Sequence, residues 1–122
     1  MIQEAYVSFE IAKLLKEKGF NEPVRCWYDN FQDFHEEGMR MSNTDCLPPT
    51  VMCPTCQMAM AWIREVHNIS IEPLIDWGSG DEYWWTVDIV RFKKNGLIAE
   101  LSGCESYEDA VEAALKYCLE II

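Results

Sequence analysis

Two cysteines at the start of a helical pattern, Cys53 and Cys56, form the motif with the clearest chemical meaning. The positive end of a helix can lower the pKa of the first thiol in a Cys-x-x-Cys pair, and the thiolate is the species that attacks disulfides. The motif therefore suggests redox chemistry. Small thiols that are buried or half-buried, with no chemical role, are the alternative interpretation.

The Cys-Pro-x-Cys form of this pair resembles the motif of a glutaredoxin, which implies thiol–disulfide exchange. In that family the motif directly follows a buried strand. Residues 45–52, which precede it here, include two adjacent prolines and form a poor strand. Pro73 also follows too soon to match the cis-proline of that family. A redox role is therefore kept as an alternative function.

A structural zinc site is the other chemistry that these cysteines suggest. Zinc in structural sites takes four ligands, mostly Cys and His. Cys46, Cys53 and Cys56 lie close together in the sequence, and His35 could complete the set, with His67 as the other candidate. A second Cys-x-x-Cys pair, which is typical of zinc-binding modules, is absent. We therefore interpret the cysteines mainly as buried thiols and predict no cofactor.

The densest group of ionisable residues lies upstream of these cysteines. It consists of Asp29, Asp33, His35, Glu36 and Glu37. Carboxylates beside a histidine can bind a cation or transfer protons. Their spacing matches neither an EF-hand loop nor a hydrolase motif, so we interpret them as a solvated acidic loop. The chain also lacks a glycine-rich phosphate loop and a nucleophile elbow, and we predict that it is not an enzyme.

The chain is strongly acidic, with 21 Asp and Glu against 10 Lys and Arg and a net charge of −11 over 122 residues. Proteins bind nucleic acid by neutralising its phosphates with Lys and Arg, which are few and scattered here. We therefore predict no nucleic-acid binding. No apolar stretch is long enough to span a bilayer, and the N-terminal residues lack a signal-peptide pattern. We expect a cytoplasmic protein without membrane association.

The elements that must position these residues follow from hydrophobic periodicity and helix caps. An N-terminal helix and a short strand, Val24–Tyr28, open the chain, and an irregular acidic loop over 29–54 follows. Residues 55–122 then give helix, strand, strand, strand and helix. We predict one α+β domain over 1–122, built on a three-stranded antiparallel meander with α-β-β-β-α order, with the short strand as a candidate fourth strand.

The longest predicted strand, over residues 82–92, carries large apolar side chains on both of its faces. Tyr83 and Trp85 lie on the face that we expect the helices to cover. The opposite face also needs cover, for which the N-terminal helix and the irregular loop are the candidates within the chain and a second subunit is the other candidate. An apolar face left uncovered marks an interaction site. The predicted interaction surface consists of Trp84, Val90 and Phe92. We expect it to contact a protein partner or a second copy of the chain in a homodimer.

Residues 55–122 resemble the double-stranded RNA-binding domain in topology. The segment Gly103–Ala110 is similar to the start of that family's last helix, where a serine is followed by two lysines. The resemblance implies RNA binding through phosphate and 2′-hydroxyl contacts. Tyr107 and Glu108 occupy the positions of the two lysines, however. We therefore carry over the topology and not the RNA binding.

Nearly the whole chain also resembles a group of short uncharacterised proteins of Bacteroides-type gut bacteria and of their phages and mobile elements. The similar segments are residues 7–10 and 15–20, Pro54-Thr55 with Trp62–Glu65, and residues 107–118. This resemblance implies no activity, catalytic residue or cofactor. We predict a small, acidic, non-enzymatic interaction or accessory protein. The alternative suggested by the charge is a mimic of nucleic acid that blocks a host nucleic-acid-binding protein.

Overall fold

The computed structural model of the protein describes residues 2–36, 38–93 and 96–122. Within these residues it contains three α-helices and two three-stranded antiparallel sheets, which confirms the predicted α+β class. The chain divides into two compact units between Ala59 and Met60, within the second helix. The described helices include none that is long and apolar enough to cross a membrane.

The first unit begins with helix α1, Phe9–Glu17, whose start is capped by Ser8. The Ser8 side chain accepts a hydrogen bond from the Ile11 N–H at 3.3 Å, a contact that typically stabilises a helix by about 1 kcal/mol. The chain turns away after the helix at Gly19, whose φ of +96° lies in the left-handed region that favours glycine. This reversal places Phe20 in the core, where it is fully buried.

The first sheet is made of three two-residue strands, with β1 (Trp27–Tyr28) in the centre between β2 (Phe34–His35) and β3 (Val51–Met52). The predicted short strand therefore exists only at its end, and it joins this separate sheet rather than extending the meander. A 3-10 helix, Asn43–Asp45, precedes β3. Part of the segment expected to be an irregular loop is thus organised structure.

One buried side chain holds this segment in place. The Asn43 amide donates a hydrogen bond to the Phe20 carbonyl at 2.8 Å, and its oxygen accepts one from the Met52 N–H at 3.0 Å. Both backbone groups would otherwise lack these partners in the interior, where an unpaired polar group is costly. A single asparagine therefore connects the end of α1 to the strand β3.

The second unit is the predicted meander. Its strands β4 (Ile69–Trp77), β5 (Tyr83–Arg91) and β6 (Gly96–Cys104) pair in this order, and helix α2, Cys56–His67, precedes them. The α-β-β-β-α order is therefore confirmed. The predicted turn after β5 includes residues 94 and 95, which lie outside the described residues. Pro73 pairs with Val87 on the outer strand β4, a position where a missing N–H is tolerated.

Helix α3, Tyr107–Ile121, covers one face of this sheet and contacts all three of its strands. Ser106 caps it by accepting a hydrogen bond from the Asp109 N–H at 3.0 Å. The core between helix and sheet is fully enclosed. It includes Ile69, Val87, Ile89, Val111, Leu115 and Leu119, each 0 % exposed. This packing fixes which side of each strand faces the helix.

Candidate functional site

The four residues predicted to bind zinc are engaged in separate contacts. The Cys53 thiol is buried and donates to the Val7 carbonyl at 3.3 Å, whereas the Cys46 thiol donates to the Asn43 carbonyl at 3.4 Å. Cys56 is buried, and His35 pairs with Asp29. Over the described ranges, no group of three or more His, Cys, Asp or Glu side chains could hold a metal ion.

The first thiol of the Cys-x-x-Cys motif is not activated. Burial raises the pKa of Cys53 from its ordinary value of 9.0 to about 12. Redox enzymes need the opposite shift, because only the thiolate attacks a disulfide. All six cysteines are free thiols. The local geometry therefore gives a redox role no support.

The predicted acidic cluster has a structural centre in Asp29. One carboxylate oxygen accepts from the N–H groups of Phe31 at 2.8 Å and Asp33 at 3.0 Å, and the other contacts His35 at 2.8 Å. The hydrogen bond to His35, followed by that from the Asp33 backbone, lowers the pKa of Asp29. This carboxylate shapes the turn between β1 and β2. Glu37, also in the cluster, lies outside the described residues.

The predicted interaction surface lies on the face of the second sheet away from α3. Trp84 and Val90 are half-buried there, and Phe92 is 50 % exposed. Polar groups separate them, since the Thr86 hydroxyl in the middle of this face donates to the Asp76 carboxylate at 2.5 Å. This face is therefore partly polar, because Thr86 and Asp88 lie between Trp84 and Val90 along it.

A more exposed aromatic group lies at the other end of the sheet, on the face that α3 covers. Trp77 and Tyr83 are paired across β4 and β5, with ring centroids 6.2 Å apart, and they are 71 % and 58 % exposed. One position inward, Trp85 makes an edge-on contact with Tyr107 at 5.4 Å. The aromatic surface consists of Ile75, Trp77, Tyr83, Trp85 and Tyr107.

The aromatic surface is open because the β4–β5 hairpin extends past the last residue pair between β5 and β6. The last residue pair between β5 and β6 is Trp85 with Cys104, and α3 begins only at Tyr107. Trp77 and Tyr83 lie beyond that pair. The prediction that the helices cover Tyr83 was therefore wrong, although half-buried Trp85 does contact α3. The sequence gives no local signal of this exposure, because it depends on the register that pairs Trp85 with Cys104.

Carboxylates surround the aromatic surface, and cations are absent from the same segments. Residues 65–90 and 97–115 contain eleven Asp and Glu and no Lys or Arg. Asp81 and Glu82 lie in the hairpin loop itself, and Glu105 and Glu108 flank Tyr107; all four are exposed. An apolar surface with a negative rim thus lies at one end of the second unit.

Comparisons with known proteins identify no relative of this chain. No protein-family model, no curated protein sequence and no solved structure matches it.

Proposed function

We propose that this chain is a non-enzymatic binding protein that holds a basic segment of a partner protein on the aromatic surface. The observation that carries this proposal is the exposed pair Trp77 and Tyr83 within an acidic rim. Trp and Tyr are the residues most enriched in binding hot spots, together with Arg. A partner that buries this pair removes apolar area from water, which stabilises the complex.

Charge complementarity selects the partner's chemistry. Lys and Arg side chains can lie with their aliphatic stems against Trp and Tyr, while their charged ends reach nearby carboxylates. Asp81, Glu82, Glu105 and Glu108 provide such carboxylates around the surface. The net charge of −11 also speeds the encounter with a basic partner and repels acidic ones.

Peptide binding tests this function directly. The probe is a short fluorescein-labelled peptide of alternating Arg and Leu, compared with a counterpart that carries Glu in place of Arg, at about 0.15 M ionic strength. We expect Trp77→Ala to raise the Kd for the basic peptide at least about tenfold, which is about 1.4 kcal/mol. Fluorescence anisotropy measures both peptides.

Phe92→Ala is the matched control, because Phe92 is also an exposed aromatic residue of the second unit but follows the end of β5 that is opposite to Tyr83. Neither substitution changes the net charge, so non-specific attraction is the same in both variants. Equal weakening by the two variants, or equal affinity for the Glu-containing peptide, would contradict the proposed function.

A second candidate function, the acidic mimic of nucleic acid, is favoured by a different feature. Glu72, Asp88 and Glu100 lie side by side across the three strands of the second sheet. Neighbouring strands are about 4.8 Å apart, so these carboxylates form a closely spaced negative row. The double variant Glu72→Gln/Glu100→Gln distinguishes the two functions. It should abolish binding of a basic nucleic-acid-binding protein only if this row is the contact, and Trp77→Ala should then have no effect.

A further inference from the structure

We propose that a small cavity in the first unit is a binding site for a small molecule with a carboxylate or phosphate group, held by Arg25 and Arg40. The cavity has a volume of about 190 Å³ and is lined by both arginines together with Tyr6, Thr55 and Glu4. This site is distinct from the aromatic surface, which lies in the second unit. It therefore goes beyond the proposed function.

Both arginines lie next to one backbone bridge and line the same cavity. Val24 and Met41 exchange two hydrogen bonds, each of 2.9 Å, in an isolated antiparallel bridge. Arg25 follows Val24 and Arg40 precedes Met41, so the bridge brings the two segments that carry the arginines together. Both side chains line the cavity and are exposed, which leaves their donors accessible to a ligand.

These arginines have no carboxylate partner within the part of the chain that the structure describes. Among the described residues, neither Arg25 nor Arg40 forms an ion pair, although the chain contains 21 Asp and Glu. Like charges that line one cavity repel each other. An oxyanion between them would remove that repulsion. The planar guanidinium group suits this role because its paired N–H donors match the geometry of carboxylate and phosphate oxygens.

The remaining lining adds little negative charge. A hydrogen bond with the Cys26 side chain, helped by burial, raises the pKa of Tyr6 to about 12, so its hydroxyl is neutral at physiological pH. Burial likewise keeps the Cys53 thiol, also in the lining, protonated. Glu4 is the one carboxylate in the lining, and it is exposed. The balance of the described lining residues therefore favours an anion.

Size limits the ligand to a small group. Cavities for drug-sized molecules usually measure about 300–1,000 Å³, and this one measures about 190 Å³. Inorganic phosphate, or a short-chain carboxylate such as succinate, has the required size and charge.

Titrations with inorganic phosphate and with succinate, followed by amide chemical shifts at low ionic strength, test the site. We expect saturable shifts at Tyr6, Arg25 and Thr55 for at least one anion, and the tighter one identifies the ligand class. Arg25→Gln/Arg40→Gln should weaken that binding at least tenfold. Arg40→Lys, which keeps the charge but loses the paired donors, should give an intermediate affinity.

Arg91→Gln/Lys93→Gln is the matched control. It also removes two positive charges, but from exposed positions of the second unit. This control should bind the anion as the unmodified chain does. The absence of saturation by either anion below about 10 mM would overturn the proposal. So would equal weakening in the control, because that would show a response to net charge alone. Far-UV circular dichroism verifies that each variant is folded.

Discussion

Glu72 and Asp88 lie directly opposite each other on neighbouring strands of the second sheet. Asp88 in turn faces Glu100 on the third strand, and one of its carboxylate oxygens is buried with no hydrogen-bond partner among the described residues. Opposed like charges weaken a sheet. We therefore expect the row of three carboxylates to lower the stability of the second unit.

Neutralising one end of this row should stabilise the protein. We expect Glu72→Gln to raise the free energy of unfolding by about 0.5 kcal/mol, because it removes the repulsion of Asp88. Urea denaturation measures the change, which should shrink in 1 M NaCl as the charges are screened. Glu22→Gln, at an exposed loop position, makes the same charge change without an opposed carboxylate and is the control. A larger rise in the free energy of unfolding for Glu22→Gln than for Glu72→Gln would show that the effect comes from net charge.

The buried hydroxyl of Thr86 should contribute more to the stability of the protein than its methyl group does. It is 1 % exposed, donates to the Asp76 carboxylate and lies 3.1 Å from the Ser102 hydroxyl. We expect Thr86→Val to cost about 1–3 kcal/mol of stability, since Asp76 then loses a partner at a site largely closed to water. Thr86→Ser keeps the hydroxyl and should recover most of that loss. Guanidinium denaturation of the three proteins gives the comparison.

Asn43 should be indispensable to the first unit. In Asn43→Asp the carboxylate can still accept from the Met52 N–H, but it cannot donate to the Phe20 carbonyl. We expect a loss of about 2–3 kcal/mol, because a charge and an unpaired carbonyl are then left in the interior. Hydrogen exchange at the Met52 amide should accelerate accordingly. Thr44→Ala, at the exposed neighbouring position, should leave that exchange rate almost unchanged.

The buried thiol of Cys118 should make the protein less stable in alkali. Burial raises the pKa of Cys118 from its ordinary value of 9.0 to about 12. Below about pH 8 both the folded and unfolded chains hold the proton. Between pH 9 and 12 only the folded chain holds it, so this thiol's contribution to stability falls by about 1.4 kcal/mol per pH unit.

Cys118→Ala isolates that contribution. Urea denaturation at pH 7 measures the cost of the cavity, because no proton is released there. Urea denaturation at pH 9.5 and 10.5 then measures the contribution of the Cys118 proton to stability. We expect the free energy of unfolding of the variant to fall less steeply with pH than that of the unmodified chain. Identical slopes for the two proteins would mean that Cys118 ionises in the folded chain.

The second unit was predictable because its sequence signals are local. The alternation along β5 and the Ser106 cap of α3 each act within a few residues, and they fixed the order of elements. No local sequence signal predicts how far α3 extends over the sheet. That extent depends on the register between β5 and β6, which places Trp77 and Tyr83 outside the cover.

The first unit was harder to predict for a different reason. Its strands are two residues long, which is too short for any periodicity to appear. Side-chain hydrogen bonds from Asp29 and Asn43 hold those strands instead, and such bonds join residues up to 23 positions apart. The proposed anion site depends on the same kind of long-range pairing, since the bridge between Val24 and Met41 brings the two arginines together.

The proline in the outer strand β4 has a consequence for how the protein behaves when concentrated. An open sheet can grow by adding strands from other molecules at its edges, which is how many fibrils begin. Pro73 removes a backbone donor from the middle of one edge, so an incoming strand cannot complete a ladder there. The other outer strand, β6, contains no proline, so its edge lacks this protection against strand addition.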